Sequence, residues 1–175
     1  MYKKVALYGL AFGSLSASMI LINYLNKLYL TRSFVSAIPV LANVIIVGFG
    51  VYFLIKKIMF EPNKKPISLG KALFASLLTA LIAAICNIAA YQHIKLNKKE
   101  YFEDFRNTQI KQMDIHLSRD SSLNLSERSK KKEEATRNLD ENMSTGAFAR
   151  TEIQMFLSVA LVITLLVYVA NQKRQ

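Results

Sequence analysis

Residues 72–91 read "ALFASLLTALIAAICNIAAY" and contain no Asp, Glu, Lys or Arg. A helix needs roughly 20 apolar residues to cross the hydrocarbon core of a bilayer, and this stretch is 20 residues long. A strand of a membrane barrel would be shorter and would alternate polar with apolar residues. The stretch therefore predicts a transmembrane helix.

Three further stretches lack acidic and basic residues: 5–25, 34–55 and 153–170, with lengths of 21, 22 and 18 residues. All four together predict an all-α membrane protein, with residues 1–175 forming one membrane domain of four transmembrane helices. The first stretch follows Lys3 and Lys4, as the hydrophobic region of a signal peptide does. Because it is longer than such regions usually are, we expect it to be retained as a span.

The short connections between the spans differ in positive charge, which predicts the orientation. The connection between spans two and three contains five lysines, whereas Lys27 and Arg32 are the basic residues between spans one and two. Short basic loops lie on the cytoplasmic side of a membrane. We therefore expect the lysine-rich loop and both basic termini in the cytoplasm, and residues 93–152 outside it.

Residues 93–152, called the insert below, separate spans three and four and are strongly charged. Their twelve basic and eleven acidic residues leave a net charge of +1, although the whole chain carries +11. The pattern predicts a helical hairpin outside the membrane, and this mixture of charges argues against nucleic acid as a partner. Phe102, Phe105 and Met113 form an apolar stripe that is a candidate face for a protein partner. The alternative is that this stripe packs within the hairpin or on lipid headgroups, as amphipathic stripes often do.

Two spans carry small residues at intervals of four, which allows close approach of helix backbones in lipid. The predicted packing residues are Gly9, Gly13 and Ala17 in the first span, and Ala72, Ser76, Ala80 and Ala84 in the third. These faces suit contacts within one chain or between two copies, and the sequence leaves both alternatives open.

Asn43 and Asn87 are the candidate polar residues inside the spans. They can line a solute path or form an interhelical hydrogen bond, and the hydrogen bond is the commoner use of such residues. No Asp, Glu, Lys or Arg lies between the predicted helix ends. This pattern argues against an ion-coupled carrier, which usually has such a residue in its spans.

Ser68 and Lys71 have the spacing of a serine acyl-enzyme motif, but that motif also needs a Lys-Thr-Gly element, which this chain lacks. Ser68 is better explained as a helix cap, and Lys71 as an anchor at the membrane surface. His93 and His116 are 23 residues apart, and no cysteine or further histidine stands at ligand spacing from them. We therefore expect no enzymatic activity, no cofactor and no metal site.

Four segments in order, "YGLAFGSLSAS" (8–18), "VYFLIKK" (51–57), "ISLGKALFASLLTALIAAICNIAAY" (67–91) and "NQKRQ" (171–175), resemble a bacterial family of four-helix membrane proteins. The family is catalogued only as a domain of unknown function. The resemblance implies an integral protein of the inner membrane with no assigned reaction.

The long charged insert and the lack of a catalytic pattern predict a non-enzymatic interaction, assembly or accessory subunit of the bacterial cell envelope. Its expected partners are membrane lipid and either itself or another envelope protein. The alternative is a small oligomeric channel or transporter for a neutral solute, with Asn43 and Asn87 along its path.

Overall fold

The computed structural model describes residues 1–25, 33–59, 67–120 and 122–172. These residues form six α-helices, and no strand occurs among them. The helices are α1 (Tyr2–Leu25), α2 (Ser33–Met59), α3 (Leu69–Asn97), α4 (Lys99–Arg119), α5 (Leu125–Asn142) and α6 (Thr145–Gln172).

Among the described residues, four helices, α1, α2, α3 and α6, are long and apolar enough to cross a membrane. Many of their large apolar side chains face outward, as shown by Leu7, Phe49 and Leu166, which are 65, 54 and 62% exposed. Such a surface is unfavourable in water and suits contact with lipid. The prediction of an all-helical fold with four helices that could span a membrane is therefore confirmed, and these helices indicate a multi-pass membrane protein.

Each of α1 and α6 packs against both α2 and α3, and α2 and α3 also contact each other. The main core lies between α2, α3 and α6. Its buried apolar residues are Val47, Val51, Ile55, Ala72, Ala80, Ala83, Ala84, Phe156 and Ala160.

Glycine allows α1 to approach its neighbours closely. A Cβ atom added at Gly13 would lie 2.8 Å from the Cα atom of Ala83 on α3. A Cβ atom at Gly50 on α2 would lie 2.7 Å from the ring of Phe12 on α1. Side chains at these two positions would therefore separate α1 from α3 and from α2.

The insert contains α4, α5 and the ends of α3 and α6. The helix of the third span is interrupted at Lys98, whose φ of −137° and ψ of 60° are not helical, so α4 is a separate helix. Helix α5 begins with a capping box, in which Asn124 and Glu127 each accept a hydrogen bond from the backbone N–H of the other.

Two ion pairs join α4 to α5: Arg106 with Asp140 at 2.6 Å and Asp114 with Lys132 at 2.7 Å. Their order along the two helices is reversed, so α4 and α5 run antiparallel. Neither helix contains a buried residue. That the insert is an extramembrane hairpin stays a prediction.

Candidate functional site

Asn87 on α3 and Glu152 on α6 form a polar contact inside the bundle. The Asn87 Nδ2 group donates a hydrogen bond of 2.7 Å to Oε2 of Glu152. Asn87 is fully buried and Glu152 is 7% exposed. Because α6 begins at Thr145, Glu152 lies about 10 Å along the helix from that end. The bundle thus contains a carboxyl group bonded to an amide.

The expectation that no acidic or basic residue lies within the spans is wrong for Glu152. The charge-free stretch begins at residue 153, but α6 begins eight residues earlier, so the charged boundary of the stretch is not the boundary of the bundle. A four-residue spacing along α6 is the sequence signal that could have identified Glu152 as buried. Buried residues recur at this interval along α6: Glu152, Phe156, Ala160 and Thr164.

Asn43 on α2 and Ser16 on α1 are also buried, with exposures of 5 and 0%. Within the described residues, Oδ1 of Asn43, Oγ of Ser16 and Oδ1 of Asn87 are buried and have no hydrogen-bond partner. We use the name polar layer for Ser16, Asn43, Asn87 and Glu152, one residue from each helix of the bundle.

The glycine contacts indicate how these four residues are spaced along the bundle. Gly13 packs against Ala83 and Cys86, and Ser16 and Asn87 each follow about one turn later on their helices. On the other side, Gly48 packs against Val159, and Asn43 and Glu152 both precede this contact. With a rise of about 1.5 Å per residue, the depths of these two side chains agree within about one helical turn.

A second polar contact lies deeper along α3 and α6, where the Oγ atoms of Ser76 and Thr164 are 2.6 Å apart. Each hydroxyl also lies within hydrogen-bond distance of a backbone carbonyl one turn earlier on its own helix, those of Ala72 and Ala160. Both hydroxyl groups therefore have hydrogen-bond partners within the chain. The polar layer differs because three of its oxygens are unpartnered.

The insert is attached to the bundle by side chains at the end of α3. The Tyr91 hydroxyl and the Lys95 ammonium group both donate to the carbonyl of Met143, each at 2.8 Å. Thr145 donates to Gln92 at 2.6 Å. The ring of Tyr91 also stacks on Phe148, with centroids 4.0 Å apart. These contacts hold the turn between α5 and α6 against α3.

With this geometry established, comparison with known proteins identifies the family. Residues 7–170 match the family described as "Protein of unknown function (DUF4199)". The chain belongs to the DUF4199 family. No curated protein and no solved structure matches it. The resemblance to a four-helix membrane family of unknown function is thereby confirmed.

In this DUF4199 chain, the two predicted small-residue faces meet different neighbours. Gly9 and Gly13 lie against Ile82 and Ala83 of α3, and Ala17 is partly buried. Ala72, Ala80 and Ala84 belong to the core shared with α2 and α6, and Ser76 contacts Thr164 of α6. Both faces are therefore in contact within one chain.

The candidate partner face is partly covered in this DUF4199 chain. Phe102 packs edge-on against Tyr91, with centroids 5.3 Å apart. Phe105 and Met113 are partly buried as well. Phe102 thus has a role at the base of the insert, and a partner on this face stays a prediction.

Ser68 and Lys71 lie at the other end of α3, where both are exposed. Ser68 occupies the N-cap position, but its side chain makes no capping hydrogen bond, so that part of the expectation is wrong. Among the residues that the structure describes, no group of three or more His, Cys, Asp or Glu side chains is placed to hold a metal ion.

Proposed function

We propose that this protein is a non-enzymatic subunit of the bacterial inner membrane that assembles with another envelope protein through its insert. The observation that carries this proposal is that α4 and α5, with 21 and 18 residues, contain no buried residue. Helices that add so little to a core stabilise the bundle weakly. Their surface is available for interaction.

The charge of the insert indicates the kind of partner. Its acidic and basic residues are nearly equal in number, with a net charge of +1 over residues 93–152. A nucleic acid or an anionic membrane would favour a surface of one sign. A mixed surface favours a protein partner whose charges are complementary, because such charges set specificity and association rate.

The attachment of the insert supports the same function. Tyr91 and Lys95 hold the Met143 carbonyl, and the stacked ring of Phe148 adds an apolar contact. An insert fixed at its base loses less conformational entropy when a partner binds. We therefore propose that α4 and α5 present a pre-organised surface, outside the cytoplasm, with both chain termini inside.

Site-specific photocrosslinking in native membranes tests this function. A photoreactive amino acid is placed at Lys130 or Glu133, both exposed on α5. We expect both positions to give an adduct with the same envelope protein. The control position is Leu161, which is exposed on α6 within the span, and should yield lipid adducts. Adducts at Lys130 and Glu133 that contain only this chain or lipid would contradict the proposal.

Replacing α4 and α5 by a short flexible linker gives a complementary test. Because neither helix contributes buried residues, we expect the four-helix bundle to remain folded and in the membrane. The envelope protein that was captured by photocrosslinking should no longer co-purify with the shortened chain. If the partner still co-purifies in the same amount, assembly does not depend on the insert.

The polar layer favours a second candidate function, a small oligomeric channel or transporter for a neutral solute. Intramembrane polar and ionisable groups commonly mark solute pathways, and Asn43, Asn87 and Glu152 are all buried in the bundle, with Asn87 hydrogen-bonded to Glu152. The flux of neutral solutes into vesicles that contain the purified protein tests this candidate. Activity that persists in the Asn43→Leu, Asn87→Leu double variant would contradict it.

A further inference from the structure

A groove lies between α2 and α6 near the C-terminal ends of both helices. Its volume is about 350 Å³, and sites for small molecules measure about 300–1,000 Å³. The lining residues on α2 are Tyr52 and Lys56, and those on α6 extend from Ile163 to Asn171. The groove is therefore large enough to hold part of a small molecule.

The groove is apolar at its deep end and polar at the end nearer the membrane surface. Both helices are candidate spans, which extend over Ile38–Ile58 and Thr145–Asn171. Lys56 and Asn171 lie in the last turns of these spans, whereas Ile163 lies about 12 Å further along α6 from Asn171. The other lining residues of α6 are apolar: Ile163, Leu166, Val167 and Ala170. An occupant that matches this lining has a long apolar part and a polar group at the membrane surface.

The polar end of the groove carries a positive charge that the described residues do not neutralise. Lys56 is exposed and forms no ion pair within the described part of the chain. Its ammonium group lies 5.7 Å from the centroid of the Tyr52 ring, a distance at which the ring face attracts a cation. Eleven of the twelve acidic residues lie in the insert, and the twelfth, Glu61, is outside the described residues. This end of the groove therefore favours an anionic group.

Charge complementarity distinguishes between the molecules that could occupy the groove. Copies of the chain that insert in the same orientation present the same ends to each other, and this end carries Lys56, Lys57 and Lys71, all exposed. Like charges that face each other across an interface are unfavourable. A phospholipid of the bilayer has an acyl chain and a headgroup at the required depths, and basic pockets between transmembrane helices bind anionic headgroups. The lining thus fits an anionic phospholipid better than a second copy.

We propose that this groove is a binding site for one anionic phospholipid. The Lys56 ammonium group pairs with the phosphate, and one acyl chain lies along the apolar residues of α6. The bound lipid fills the space between α2 and α6 and so stabilises their contact. This inference goes beyond assembly through the insert, because the groove involves neither α4 nor α5.

Native mass spectrometry of the purified full-length chain in mild detergent tests the site. The probes are phosphatidylglycerol, which is anionic, and phosphatidylcholine with the same acyl chains, whose choline group neutralises the phosphate. We expect one tightly bound phosphatidylglycerol per chain. Its Kd should be about fivefold lower than that of phosphatidylcholine, which is the contribution of one lysine near a membrane surface.

Two variants with matched controls locate the site. Lys56→Gln should bind both lipids equally, whereas Lys71→Gln removes the same charge from an exposed position at the same end of the bundle and should keep the preference. Ala170→Phe places a ring in the groove and should weaken the binding of both lipids about tenfold or more, because an acyl chain loses at least two buried CH₂ groups. Ala11→Phe, at an exposed position of α1 outside the groove, should bind both lipids as the wild type does.

The comparison of the two lipids uses the wild-type chain, so the proposal stays testable even if a variant does not fold. Three results would overturn it: equal affinity of the wild type for both lipids, an equal loss of preference in Lys56→Gln and Lys71→Gln, or unchanged lipid binding in Ala170→Phe. A dimer peak that Ala170→Phe removes would also overturn it, since a second copy would then occupy the groove.

Discussion

At the residue scale, Asn87 and Glu152 show how a polar side chain is tolerated inside an apolar bundle. Each side chain would destabilise the fold if it were buried without a partner. Together they form a hydrogen bond of 2.7 Å between α3 and α6. The contribution of such a pair to stability is mostly the free-energy cost of leaving one member buried and unpaired when the other is removed. The interhelical hydrogen bond predicted for Asn87 is thus present, with a partner that the charge pattern did not indicate.

Replacing Asn87 by Leu should lower the free energy of unfolding by about 1–3 kcal/mol, because Glu152 keeps its buried carboxyl group and loses its donor. Chemical or thermal unfolding in detergent measures this change. The double variant Asn87→Leu, Glu152→Leu should recover part of the loss, since no polar atom of the pair is left unpaired. Asn107→Leu, at an exposed position of α4, is the matched control and should change stability little. A single Asn87→Leu variant as stable as the wild type would contradict this prediction.

At the scale of elements, α1 is held to α3 by close backbone approach, and α4 is held to α5 by charge. The first contact depends on Gly9 and Gly13, where an added Cβ would lie 2.8 Å from Ile82 and Ala83 respectively. The second depends on two exposed ion pairs, which are weak individually. The α1–α3 contact should therefore resist changes of pH and salt that loosen the α4–α5 contact.

Gly13→Leu should separate α1 from α3, because the new side chain meets the Ala83 backbone, which cannot move aside. We expect a fall in Tm of several degrees, with a destabilisation of about 1–3 kcal/mol. Gly70→Ala is the matched control, since a Cβ at Gly70 has nothing within 4 Å. It should be neutral or slightly stabilising, because alanine favours helix over glycine. Equal effects of the two substitutions would argue against this packing.

The α4–α5 contact should weaken in acid. Arg106 donates two hydrogen bonds to the Asp140 carboxylate, and these bonds together with its charge hold the pKa of Asp140 below its usual value. A carboxyl group whose pKa is lower in the folded state stabilises that state above its unfolded pKa of about 4, and this contribution is lost as the pH falls through the folded pKa. Hydrogen exchange of α5 amides, corrected for intrinsic rates, should show less protection near pH 3 than at neutral pH.

Asp140→Asn should remove much of this pH dependence, because the neutral amide does not pair with Arg106 as a charge. Asp104→Asn, at an exposed position of α4, is the control and should keep the wild-type profile. If α5 protection is the same at both pH values, the Arg106–Asp140 ion pair does not contribute to holding the two helices.

At the scale of the whole molecule, the insert begins at the end of α3, whereas the start of α3 lies at the opposite end of the bundle. In the proposed orientation, both termini are in the cytoplasm and the insert lies outside. This orientation rests on the lysine-rich connection and the positive-inside tendency. It also places Glu152 nearer the outer end of α6, about 10 Å from Thr145.

Labelling of single cysteines in intact cells tests the orientation. In a Cys86→Ala background, Ser129→Cys on exposed α5 should react with a membrane-impermeant maleimide. Ser68→Cys, exposed at the start of α3, should react only after the membrane is permeabilised. The reverse pattern would show that the insert is cytoplasmic. Reaction of both positions before permeabilisation would indicate that the cells were not intact.

The amino-acid sequence alone determines the number of spans, their positions and the family. It does so because bilayer thickness sets the length of an apolar helix, and hydropathy along one chain reports that length without knowledge of contacts. Asn43, Asn87 and the small residues were also identifiable, because residue type and spacing limit what can be buried in lipid. The predicted ends of the spans were less accurate, as α6 shows. A helix continues through charged residues where neighbouring helices cover them.

Only the tertiary structure decides which faces meet. Gly13 meets Ala83, Ser76 meets Thr164, and Asn87 meets Glu152 across 65 positions of the chain. A charged residue at the edge of an apolar stretch looks solvated in the sequence, because its burial depends on the neighbouring helices. The polar layer follows from the packing of four helices, since no single helix contains more than one of its members.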